Sequence, residues 1–284
     1  MFGTRLISGI VLIIIAILAL SLGGPTLAGI LLVISLIAYR ELTKVLKVSG
    51  EHQANPGTEK ENKRLNLLEI IGMTGIIIYY TIAFFSGTEV LLMMCIVGVF
   101  MAMMFSYVVA FPKYRAEHLV GAFFSFMYAP VMLSFVYLTR MCPRGIYMVW
   151  MIIISSWGCD TCAYAVGMLI GKKKIFPRLS PKKSLEGCIG GVLGAVLLGG
   201  WYGYFFVEPV FPDQTVMWII AFICGVGAVM SQIGDLAASA IKRNAKIKDY
   251  GKLIPGHGGI MDRFDSMIVT APMIYFLTIL MIRF

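Results

Sequence analysis

Charge is scarce in this sequence. Only 14% of its 284 residues are Asp, Glu, Lys or Arg, where a soluble domain carries about 25%. That shortage argues against a soluble globular protein. Disorder is excluded as well, because a disordered chain needs low hydrophobicity. Histidine is almost missing, with three residues in all. The pair Cys159-x-x-Cys162 has no second cysteine pair or histidine near it, so the N/S ligand set of a zinc site is absent. No period of about 20–50 residues recurs, which argues against a repeat array. Gly167 to Gly171 has the wrong spacing for a P-loop, and no Gly-x-Ser-x-Gly elbow is present.

What is present is apolar: 59% of the chain is hydrophobic. Nine apolar runs stand out, at about 6–22, 25–39, 67–85, 89–111, 119–139, 146–170, 188–207, 215–238 and 267–282. A helix needs about 20 such residues to cross a bilayer. The sequence therefore predicts an all-α, polytopic integral membrane helix bundle of about nine transmembrane helices. Gly23-Gly24-Pro25 turns the first two runs into a tight hairpin. The first run lacks a small-residue cleavage site and reads as a span, not a signal peptide. Spans 1–4 with the cytoplasmic loop 40–66 form an N-terminal region, 1–110. Spans 5–9 with loops 171–187 and 239–266, which are dense in reactive residue types, form a C-terminal region, 111–284.

The net charge is +9, and its distribution is uneven. Arg5 and the stretches 40–66, 112–118, 171–187 and 239–266 hold 21 of the 24 Lys and Arg; Arg140, Arg144 and Arg283 are the rest. The positive-inside rule then predicts a cytoplasmic N-terminus and an external C-terminus. The surplus reads first as topology and second as an anionic ligand; no nucleic-acid partner is expected. A cell (plasma or inner) membrane location is expected, with the basic loops 171–187 and 239–266 facing the cytoplasm.

Small residues recur every four positions at Gly187, Gly191, Ala195, Gly199 and Gly203. Such a face lets another backbone approach closely. Packing within the chain is the first reading and a homodimer interface the alternative. The Cys159/Cys162 pair reads as small buried residues.

Carboxylates inside spans are costly and mark function. Asp160 shares a helix face with Tyr164, Gly167 and Gly171. Ser231, Asp235, Ser239, Lys242 and Lys246 form one polar stripe, predicting that span 8 continues past the membrane surface. Downstream, Gly256-His257-Gly258-Gly259 precedes Asp262-Arg263-Phe264-Asp265. Glycines of that kind leave amides free to cradle anionic oxygens, and Asp262 and Asp265 are neighbours on a helix. Carboxylates beside a phosphate-friendly loop suit Mg²⁺, which takes one or two carboxylates plus substrate phosphates. In the loop 171–187, Ser180-Pro181 has the form of an N-cap and first-turn proline for span 7. Lys182 and Lys183 would then sit in its first turn beside free amide donors, an anion site.

The segment Ser239–Asp265, SAIKRNAKIKDYGKLIPGHGGIMDRFD, resembles the C-terminal signature of the phosphatidate cytidylyltransferase (CDP-diacylglycerol synthase) family. Its matching positions are Ser239, Ile241, Lys242-Arg243, Lys248-Asp249, His257-Gly258-Gly259 and Asp262-Arg263-x-Asp265. SQIGDL (231–236) and LSPKKSLEG (179–187) also look like blocks of that family. One departure is Cys159 before Asp160, where the family often carries Asn. The resemblance implies transfer of CMP from CTP to phosphatidic acid at the face of a lipid bilayer, in phospholipid biosynthesis. It further implies Mg²⁺ on Asp235 and Asp262 with Asp265 as a further ligand or support, and room for a second cation such as K⁺. Lys242, Arg243, Lys246, Lys248 and Arg263 would neutralise the phosphates, with Lys182 and Lys183 doing so from span 7. Asp160 and Tyr164 would line the lipid side. Ser180, Ser239, Asp249, Gly258 and Gly259 fall in the substrate-binding segments, and His257 is open between base, phosphate donor and loop-folding residue. Two rivals remain: a CTP-dependent lipid kinase acting on a polyprenol, and a cation transporter using Asp160 and Asp235.

Overall fold

The structure, a computed structural model, describes residues 2–48, 65–177, 179–211, 215–251, 253 and 258–282. The apolar runs become long helices because a chain surrounded by hydrocarbon must satisfy every backbone N–H and C=O within itself. In chain order they are α1 (Phe2–Leu22) and α2 (Gly24–Val45), then α3 (Leu67–Phe85) and α4 (Glu89–Val109). The remainder are α5 (Ala116–Met141), α6 (Gly145–Ile170), α7 (Leu185–Val210), α8 (Met217–Asn244) and α9 (Met261–Met281). Among the described residues no β-strand occurs; Lys174 and Ser184 form an isolated antiparallel bridge. Eight of these helices, α2 to α9, are long and apolar enough to cross a membrane, while α1 supplies the shorter apolar segment Ile13–Leu22.

Several helices carry local irregularities with a cause in sequence. Pro130 lies inside α5, where it has no N–H to donate, and the backbone opens into a π-turn at Met127–Val131. A second π-turn, Ile154–Gly158, precedes Asp160 in α6. Gly23, at φ +63°, supplies the left-handed residue of the α1–α2 hairpin.

The small-residue face of α7 is used within the chain. Gly187, Gly191 and Gly194 abut Ala163, Cys159 and Cys162 of α6. Gly199 abuts Cys224 of α8, and Gly203 the Met217 backbone. All six cysteines are free, and Cys159 and Cys224 are buried. The CxxC spacing is therefore a consequence of helix packing. A Cβ on Gly199 would lie 2.6 Å from Cys224 Cβ. Gly199→Val should destabilise the bundle by about 1–3 kcal/mol, read as a lower melting temperature in detergent. An unchanged melting temperature accompanied by loss of a dimer on a sizing column would transfer this face to a homodimer.

Two sequence expectations about helix ends are corrected. The cap of α7 is Ser184, whose hydroxyl accepts from Gly187 N at 3.2 Å. Ser180 stands outside the helix, and Lys182 and Lys183 precede it. Ahead of the helix, Leu185 N donates to Lys173 O at 2.8 Å. That pairing delays the helix past Pro181. In the polar stripe of α8, the helix does run on to Asn244 as the spacing predicts, but Lys246 lies beyond its end, at φ +56°.

Candidate active site

The ends of α2, α6, α7, α8 and α9 meet at one pole of the bundle, with the described residues of the loops before α7 and before α9 around them. Lys183 Nζ reaches Asp235 Oδ2 on α8 at 2.5 Å. Asp160 of α6 lies within electrostatic range of Asp235, Lys183 and Arg263, beside the Ser266 hydroxyl. Asp265, buried on α9, is within range of Asp235, Asp160 and Lys242. Three carboxylates on three helices thus lie within electrostatic range of one another, with Lys183, Lys242 and Arg263 among them.

Asp262 has a different set of partners. Its Oδ1 pairs with Lys242 Nζ at 2.9 Å, and its Oδ2 accepts from Tyr250 N at 2.8 Å and Gly259 N at 3.0 Å. Both ends of the 250–259 segment are therefore tied to one carboxylate in the first turn of α9, where an acid is favoured by the helix dipole. Gly258, at φ +87°, is the residue that makes the turn into that contact. The Lys242 ammonium also lies 5.3 Å from the centre of the Tyr250 ring. Tyr250 donates its hydroxyl to Ala238 O at 2.9 Å, and burial pushes its phenol above the usual range.

Two cavities flank this group and share one residue. The first, about 740 Å³, runs between α1, α2, α6 and α9; its walls are aliphatic and aromatic, and Asp160 and Arg263 are its charged residues. The Arg263 Nε atom is buried without a hydrogen-bond partner. The second, about 420 Å³, is lined by Asp160, Tyr164, Lys174, Lys182, Lys183 and Gln232 among others. Glu186 fixes the basic loop beside it, its carboxylate accepting from Lys172 N at 3.1 Å and from Lys173 N at 3.2 Å. The Lys174 Nζ donates to Lys182 O at 3.1 Å. Asp160 stands where the apolar and the polar cavity adjoin.

Most of the residues singled out in the sequence come together here: Asp160, Tyr164, Lys182, Lys183, Asp235, Lys242, Gly258, Gly259, Asp262, Arg263 and Asp265. Ser239 is half-buried on the same face of α8. Arg243, Lys246, Lys248 and Asp249 are exposed around the loop, with Arg243 Nη1 reaching back to Ile247 O at 3.5 Å. Ser180 is set apart by its place outside α7. His257 lies outside the described residues. Sequence reasoning missed Glu41, Ser184, Gln232, Tyr250 and Ser266. Glu41 carried a usable signal, since it closes an apolar run as a carboxylate beside Arg40.

Among the described residues no three His, Cys, Asp or Glu side chains converge closely enough to enclose an ion by themselves. The carboxylates of Asp160, Asp235 and Asp265 are nonetheless hard-oxygen donors, the type that Mg²⁺ takes in ones and twos while substrate phosphates and water complete its shell.

These features define a class: a multi-pass helical membrane protein with an acidic, lysine-flanked polar site opening beside an apolar chamber. The chain belongs to the cytidylyltransferase family, whose sequence profile matches residues 3–281. It is similar to the phosphatidate cytidylyltransferase of Staphylococcus haemolyticus, at 28% identity over 98% of this chain and 99% of that protein. Similarity to the phosphatidate cytidylyltransferase of Staphylococcus saprophyticus is 34% over 59% of this chain, and spans 62% of that protein's length. For the phosphatidate cytidylyltransferase of Thermotoga maritima it is 39%, over 44% of this chain and 46% of that protein.

Proposed function

We propose that this chain is a phosphatidate cytidylyltransferase. A phosphate oxygen of phosphatidic acid attacks the α-phosphorus of CTP in line, the bond from that phosphorus to the bridging oxygen of the β-phosphate breaks, and pyrophosphate leaves with that oxygen. The lipid product is CDP-diacylglycerol. The observation that carries this reading is the pair of cavities meeting at Asp160. A diacyl lipid needs an apolar chamber ending in a cation, and Arg263 is that cation. A nucleoside triphosphate needs a polar pocket rich in ammonium groups, which Lys174, Lys182 and Lys183 provide. The reacting phosphates would then meet beside Asp160 and Asp235. The lipid phosphate is already ionised near neutral pH, so positioning and charge neutralisation carry the catalysis and no protein nucleophile is needed.

Asp235 and Asp265, with Asp160 beside them, would hold Mg²⁺, and a second cation such as K⁺ fits the same carboxylate group. Bound there, Mg²⁺ would neutralise charge on the triphosphate as pyrophosphate departs. Asp262, grouped with Asp235 as a metal ligand in the sequence, holds Lys242 and the amides of Tyr250 and Gly259 with its oxygens, and would reach the ion as Lys242 turns to a substrate phosphate. Displacement of Lys183 from Asp235 would free that carboxylate and point the ammonium at a phosphate. The split of Lys and Arg along the sequence, 21 against three, supports a cytoplasmic site, nine spans with α1 counted, and an N-terminus on the same side. CTP is a cytoplasmic substrate, and a lipid headgroup lies at the interface.

Purified protein in detergent, given CTP, Mg²⁺ and phosphatidic acid, should release pyrophosphate and form a cytidine-bearing lipid. Release of CDP with phosphorylation of an added polyprenol would sink this proposal in favour of the kinase. Cation flux in liposomes without CTP turnover would do so in favour of the transporter.

A further inference from the structure

Glu41 sits in the last turns of α2, far in sequence from the cytidylyltransferase signature. A carboxylate at the end of an apolar helix has to find donors or face water. Glu41 is only 9% exposed. Its Oε1 accepts from Ile260 N at 3.1 Å and its Oε2 from Met261 N at 2.9 Å. Those amides belong to the start of α9. The first N–H groups of a helix have no partner within it, and Ile260, at the cap position, offers no side-chain acceptor. The cap of α9 is thus supplied by another helix, 219 residues away.

Two glycines permit the contact. Gly251 and Gly259 press their Cα atoms toward the Glu41 carboxylate, and a Cβ on Gly259 would lie 2.5 Å from both of its oxygens. Gly259 also donates its N–H to Asp262 Oδ2 at 3.0 Å. One rigid sequence therefore runs from Glu41 through the amides of 259–261 to Asp262, and from there to Lys242 and Tyr250. Arg263 and Asp265 project from the same first turns of α9. Their places relative to Asp160 and Asp235 depend on the axial and rotational setting of α9, which Glu41 fixes.

We infer that Glu41 is a positioning residue for cytidylyl transfer: it clamps the N-terminus of α9 so that Arg263 and Asp265 meet the groups on α6 and α8. This inference rests on the proposed activity. It gives the N-terminal helices a part in the chemistry beyond anchoring.

Glu41→Gln tests it with little change in volume. The amide has one accepting oxygen, and its NH₂ group would face a backbone N–H. The turnover number for cytidine-lipid formation should fall about 10- to 100-fold, the range seen when a group supporting a catalytic ligand is removed. The KM values for CTP and phosphatidic acid should change by less than about threefold. Hydrogen exchange should rise in 258–266 and stay unchanged in the other helices. Gly259→Ala should reproduce the loss, and the Glu41→Gln/Gly259→Ala pair should be no slower than the slower single variant, because both break one contact. If Glu41→Gln fails to fold, Gly259→Ala carries the same measurements. A turnover number within about twofold of wild type, or a loss accompanied by faster exchange throughout the bundle, overturns the inference. Failure of the wild-type protein to make a cytidine lipid overturns the proposed activity instead, and the exchange measurement still tests the clamp.

Discussion

Asp235→Asn should leave the protein folded and nearly inactive. Turnover is expected to drop by about 10²–10³-fold, the range for losing one fixed electrostatic contact at a reacting centre. The melting temperature in detergent should stay close to that of wild type. Asp235 is 28% exposed and its partner Lys183 is 20% exposed. The Lys183 Nζ atom is buried, but Lys183 stands on the loop ahead of α7, and its long side chain can turn to water when Asp235 becomes a neutral amide. Asp262→Asn should behave in the opposite way. Its carboxyl group is 3% exposed, Lys242 is 13% exposed, and two backbone amides depend on the same oxygens. Removing one member of a buried pair leaves an uncompensated charge, at a cost of about 3–5 kcal/mol. Asp262→Asn should therefore melt several degrees lower, with turnover lost alongside stability. The two aspartates look alike in sequence, and the contrast between melting and turnover separates them. An Asp235→Asn protein retaining about a tenth or more of wild-type turnover would remove Asp235 from the reacting centre.

The resemblance between these acids in sequence shows where sequence reading stops. The spans were legible because each must bury its backbone in hydrocarbon, which writes a long apolar run. Their polar extensions were only partly legible. The stripe Ser231, Asp235, Ser239 and Lys242 correctly foretold that α8 continues to Asn244. The start of α9 at Met261 precedes its apolar run at 267, since Asp262 and Asp265 occupy first turns that favour acids. Around α7, two capping signals competed. Ser180-Pro181 has the local form, but Ser184 with Glu186 behind it is the one whose amides remain free once Lys173 and Leu185 pair. Local chemistry ranks such signals, and backbone pairing decides between them. Glu41 was half legible: a carboxylate closing an apolar run marks itself, but its partners lie 219 residues away and backbone amides carry no sequence label.

The proposed division of the two anionic substrates between the cavities yields a prediction of comparable size. Arg263 lines the apolar chamber and its Nε lacks a partner; Lys182 lines the polar one. Charge-assisted hydrogen bonds to phosphate are about twice as strong as neutral ones, so losing one should raise a KM by about tenfold. Arg263→Gln is expected to raise the KM for phosphatidic acid and leave that for CTP within about twofold. Lys182→Ala should do the reverse. Arg263→Lys is the informative intermediate. It keeps the charge but loses the planar fork that meets a phosphate with two parallel bonds, so it should recover only part of the lipid affinity. A KM effect of Arg263→Gln on CTP alone would place the triphosphate, not the lipid, at the mouth of the apolar chamber. Equal effects on both substrates would mean that Arg263 serves the reacting phosphates after they meet. Asp160 then becomes the residue to vary next, because it is the wall the two cavities share and carries the charge that each phosphate must approach.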